Sequence, residues 1–141
     1  MKIDIKTAAI LLFLIFAALR GGDSPSPGPS PVPDVEPAPF PSSDLAVLVV
    51  EETEQRHQLP PSQLNVLTSG ILRDYVEESG GEIRVWDQNV DSQYAPEKWR
   101  EALRKPRDGL PWIYIANGDK GHSGPLPETV EETKYLISKY K

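Results

Sequence analysis

Proline placement limits this chain more than any other feature. Of its 15 prolines, eight (Pro25, Pro27, Pro29, Pro31, Pro33, Pro37, Pro39 and Pro41) fall between residues 21 and 43. Each lacks a backbone N–H and has a fixed φ, so the segment is excluded from helices and from the interior of a sheet. Proline at nearly every second position favours extended polyproline II, a semi-rigid spacer of at most roughly 70 Å at 3.1 Å per residue. The chain is thereby divided into an amino-terminal segment (1–20), a proline-rich linker (21–43) and a remainder (44–141) long enough for one hydrophobic core.

The amino-terminal segment places Lys2 and Lys6 before the apolar run Thr7 to Leu19. As a helix that run spans roughly 20 Å, short of a hydrocarbon core of about 30 Å. A signal peptide fits this length. Because Arg20 follows directly and no clean small-residue cleavage site is present, an uncleaved membrane anchor is the standing alternative. Either reading puts the folded part on the non-cytoplasmic side, with membrane contact through residues 7–19 only.

The remainder alternates between strand and helix signals. Leu45 to Val50 is a valine-rich apolar run, expected of a central strand buried on both faces. Pro60-Pro61 opens a helix through about Ser79, stopped by Gly80-Gly81. Glu82 to Asp87 alternates as a second strand. Pro96 begins a short helix carrying Trp99, Ala102 and Leu103, which Pro106 and Gly109 stop. Trp112 to Ala116 is a third strand, Asn117-Gly118 a tight turn, and a weak fourth strand is expected near Gly121 to Gly124. A last helix starts at Pro127. The expected order is βαβαββα.

Several segments in this order resemble the thioredoxin superfamily. Val85-Trp86-Asp87-Gln88-Asn89 is similar to the family's strand ending in Asp and Asn, and Ala95-Pro96 to the start of its next short helix. Gly109-Leu110-Pro111 resembles the loop holding its cis-proline, and Asn117-Gly118 its hairpin turn. The resemblance covers about two-thirds of the chain and implies an α/β fold, a thioredoxin-like three-layer sandwich with a central mixed sheet. It also implies that Leu110-Pro111 is cis, and that the family's two cysteines would fall at about Ser62 and Asn65.

The chain contains no cysteine. Thiol-disulfide exchange requires a thiolate attacking sulfur, so disulfide reductase, oxidase, isomerase and thiol peroxidase activities are excluded. Thiolate metal sites are excluded with them. The family's binding half can persist without thiols, because its cis-proline loop pairs with extended peptides by strand addition. This gives a candidate binding surface of Leu110, Pro111 and Trp112 with Ser62 and Asn65, and with His122 from the adjoining Gly121-His122-Ser123-Gly124 segment. The expected partner is a polypeptide. The rival readings are a thiol-free enzyme using Ser62, Asn65 or His122, and a structural part of an envelope or particle assembly.

A formal charge of −6 with scattered lysines and arginines argues against nucleic acid, which needs clustered cations. Asp87-x-Asn89-x-Asp91 imitates a calcium loop but has Ser92 and Lys98 where glycine and glutamate are required. It reads as turn-capping residues. Glu51-Glu52-x-Glu54 reads as a solvated acidic loop, and His57 and His122 as surface loop histidines. No phosphate-binding loop and no cofactor or metal site is expected.

Overall fold

A computed structural model describes residues 36–141. The leader (1–20) and the linker as far as residue 35 lie outside the described residues. Among the described residues no helix is long and apolar enough to cross a membrane.

The domain is of the α/β class. Strand β1 (Glu36–Glu51) is followed by a 3-10 helix (Thr53–Gln58), helices α1 (Pro61–Thr68) and α2 (Gly70–Glu78), and strand β2 (Glu82–Asp87). A 3-10 turn (Ser92–Tyr94), helix α3 (Glu97–Arg104), strand β3 (Trp112–Pro125) and helix α4 (Val130–Ser138) complete it. The strands form a mixed sheet in the order β2-β1-β3, β1 running parallel to β2 and antiparallel to β3.

The valine-rich run sits in the middle of this sheet because it is apolar at every position. Val47 and Val49 pack on one face with Ile113 and Ile115 of β3, beneath Val66, Leu72, Val76 and Ile137 from α1, α2 and α4. Ala46, Leu48 and Val50 pack on the other with Tyr114 and Ala116, beneath Trp99 and Ala102 of α3. Strand alternation therefore divides one sequence run between two cores.

The expected linker does not run as far as residue 43. Residues 36–43 belong to β1, Glu36 pairing with Gly121, Pro37 with Lys120 and Ser42 with Gly118. Pairing to β2 begins only at Ala46, so the prolines occupy the part of β1 that has a partner on one side. A residue without an N–H is tolerated there. Phe40 fixes the segment in place. It is 1% exposed, and its ring lies 5.5 Å from that of Trp99, which in turn meets Trp86 edge-on at 6.1 Å.

The expected fourth strand is the second limb of β3. Fourteen extended residues would span about 45 Å, yet the Leu126 N–H donates to the Pro111 carbonyl at 3.0 Å. The strand therefore doubles back, reversing at Gly118, whose φ of +65° suits glycine. The limbs approach so closely that a Cβ on Gly121 would stand 2.2 Å from the Ile115 carbonyl oxygen.

Two helix expectations need correction. The single helix over 61–79 is divided at Ser69, whose ψ of 144° is extended; Thr68-Ser69-Gly70 joins three poor helix formers in a row. The last helix starts at Val130 rather than Pro127, because Thr129 caps it by accepting the Glu132 N–H at 3.1 Å.

Phe40 discriminates between spacer and strand. Phe40→Ala is expected to cost about 3–5 kcal/mol and to lower the Tm by roughly 10 °C or more, measured by thermal unfolding; a spacer residue would leave the Tm unchanged.

Candidate functional site

The loop between α3 and β3 is held from below. Arg107 donates through Nη1 to the Leu103 carbonyl (3.2 Å) and to the Tyr114 hydroxyl (3.3 Å), and that hydroxyl donates to the Lys105 carbonyl (3.1 Å). Burial pushes the Tyr114 phenol above its ordinary pKa, so it stays a neutral donor. Beyond this clamp Asp108, Gly109 and Leu110 lead to Pro111, and the Leu110-Pro111 bond is cis.

Against this loop lies an open groove of about 680 Å³. Its apolar walls come from Leu110, Pro111 and Trp112 and from Pro125, Leu126 and Pro127, and Gln63, His122, Asp108, Glu128 and Glu132 complete the lining. The walls are pinned together by the Leu126-to-Pro111 hydrogen bond and by the Gln63 side-chain amide, which donates to the Leu126 carbonyl at 2.9 Å. Trp112 is 9% exposed and donates through Nε1 to Ser123 Oγ at 2.9 Å, tying the two limbs of β3. Among the described residues neither the N–H nor the C=O of half-buried Leu110 has a hydrogen-bond partner.

Leu110, Pro111, Trp112 and His122 thus meet in one groove. Ser62 and Asn65 do not line it; both stand on α1 outside the groove. Their neighbour Gln63 takes that place. Successive helix positions point about 100° apart, so a register uncertain by one residue selects a different face.

His122 is on β3 and half-buried rather than in a surface loop. Its ring lies against Gly124, where a Cβ would stand 2.8 Å from Nε2, and its Nδ1 is 3.9 Å from a Glu36 carboxylate oxygen. Burial lowers its pKa below the usual 6.5; Glu36 acts in the opposite sense and Lys139 adds to the lowering. His57 lies in the 3-10 helix, away from the groove.

The acidic run Glu51-Glu52-x-Glu54, whose first residue ends β1, is not a solvated loop throughout. Glu51 is 2% exposed and is bound by the Arg56 guanidinium through two hydrogen bonds, one of 2.7 Å from Nε. This contact pushes the Arg56 pKa up. Glu51 lies behind Leu110 and Pro111, across a crevice of about 20 Å³. Asp87 accepts from the Thr53 and Asn89 N–H groups, each at 2.8 Å, which hold its carboxyl down to about 2. Asp91 caps the 3-10 turn through Gln93 N–H at 3.0 Å. Among the described residues no group of three acidic or histidine side chains is placed to hold a metal ion.

No protein family, curated protein or solved structure matches the chain.

The half-buried histidine makes stability depend on pH. The unfolded imidazole takes up a proton near 6.5 whereas the folded one resists it, so stability is full above that value and falls as pH drops toward the folded pKa. Urea unfolding at about pH 7.5 and about pH 5.5 is expected to show a lower midpoint at the acid value, and a smaller difference in His122→Asn. An unchanged pH difference in that variant would contradict the assignment.

Proposed function

We propose that residues 36–141 form a cysteine-free thioredoxin-like recognition module that holds an extended polypeptide in the groove beside Leu110, without thiol chemistry. The observation that carries this reading is that the Leu110 N–H and C=O, in the lining of an apolar-walled groove, have no hydrogen-bond partner among the described residues. A backbone position with both groups free can receive one residue of an extended chain by strand addition, while the walls of proline, leucine and tryptophan take its apolar side chains. The hydrogen bonds that tie the walls together favour binding, since they lower the ordering cost that binding has to meet.

Support for the thioredoxin-like arrangement comes from the sheet order and the placement of helices on both faces. The doubled-back β3 followed by a terminal helix agrees with it. The enzyme reading is less well supported, because Ser62 and Asn65 stand outside the groove that contains His122. In this reading residues 7–19 carry the domain to, or hold it at, the non-cytoplasmic side of a membrane.

Panning a random peptide library against the full-length chain tests the proposal. Extended, apolar-centred sequences are expected to be enriched, and Leu110→Asp should weaken the selected peptide at least about tenfold, a loss of about 1.4 kcal/mol. Ser62→Ala and Asn65→Ala should leave its affinity unchanged. Failure to enrich any peptide, or equal binding by Leu110→Asp, would refute the proposal.

A further inference from the structure

The groove beside Leu110 combines apolar walls with charge of a single sign. Each wall runs on along the chain into carboxylates: Asp108 stands two residues before Leu110, Glu128 directly follows Pro127, and Glu132 lies in the first turn of α4. All three are exposed, and none is in an ion pair among the described residues. The lining holds no lysine or arginine. Its basic group is His122, which burial holds toward its neutral form and whose Nδ1 already faces a Glu36 carboxylate oxygen at 3.9 Å.

Helix α4 by itself accounts for part of this charge. Its dipole favours carboxylates in the first turn, which covers Glu132 and equally Glu131, a residue outside the groove lining. Asp108 has no such reason to be acidic, because it follows the carboxy-terminal end of α3, where a dipole favours cations. What Asp108, Glu128 and Glu132 share is the groove. Lysine and arginine side chains are complementary to such a surface: the methylene stem packs along apolar walls while the charged head reaches a carboxylate. Carboxylates without a counter-charge in the lining also disfavour acidic segments, so they select the partner more than they add raw affinity. We infer that this groove takes a basic polypeptide segment, extended, with an apolar centre flanked by Lys or Arg. This rests on the polypeptide-binding reading above and adds the charge class of the partner.

Fluorescence polarisation with the full-length chain and three labelled synthetic heptapeptides tests the inference. All share a Val-Leu-Val centre and carry Lys-Lys, Gln-Gln or Glu-Glu at both ends. The Lys-flanked peptide is expected to bind at least about fivefold tighter than the Gln-flanked one, and the Glu-flanked peptide most weakly, with the spread narrowing in high salt. The triple variant Asp108→Asn, Glu128→Gln and Glu132→Gln should bring the Lys-flanked peptide to the affinity of the Gln-flanked one. Glu131→Gln removes a charge from the same turn of α4 outside the lining and should keep the preference.

Leu110-dependent binding with equal affinities for the Lys- and Gln-flanked peptides, or with a Lys preference that persists in the triple variant, would overturn the charge assignment and leave the polypeptide reading intact. Absence of any binding that Leu110→Asp weakens would overturn both. A concentration-dependent dimer in sedimentation, abolished by Leu110→Asp, would name a second copy as the occupant and overturn the inference.

Discussion

Everything in this domain depends on one strand that is apolar on both faces. Ala46 to Val50 supplies alternate side chains to two separate cores, and its backbone is bonded to β2 along one edge and to β3 along the other. A strand buried this way cannot face water on either side, so helices must cover both. The helices α1, α2 and α4 answer to one half of its side chains and α3 to the other.

The groove follows from how β3 is built. Its two limbs have to lie side by side, and the residues that leave them, Pro111 at one end and Leu126 at the other, are brought into hydrogen-bonding contact. Gln63 then bridges from α1 to the same point. The result is a cleft whose walls carry apolar side chains and in whose lining Leu110 presents a backbone N–H and C=O without hydrogen-bond partners among the described residues. In the proposed reading such a site binds and orients a chain. It holds no thiol.

Elements with strong local signals are legible in the amino-acid sequence. The strand at 82–87 is bounded by Gly81 and the Asp87-Asn89 turn, and α3 stops where Lys105 must be extended ahead of Pro106. The features that escape such a reading are those in which tertiary packing overrules local preference. Phe40 lies between two prolines, and nothing in its neighbours announces that Trp99 will be beside it. The burial of Glu51 depends on Arg56 folding back over it. The placement of Gln63 rather than Ser62 at the groove depends on helix rotation, which a single uncertain residue of register defeats. The half-buried state of His122 depends on Gly124 offering a bare surface to its ring. In each case the deciding partner is unannounced by the local pattern.

Amide hydrogen exchange at Leu110, measured with and without a selected peptide, tests strand addition most directly. In the free chain this N–H has no partner among the described residues and should exchange rapidly. Peptide binding should slow it by an order of magnitude or more, alongside the residues of the groove walls. Rapid exchange at Leu110 in the saturated complex, with protection elsewhere, would contradict backbone pairing at this position.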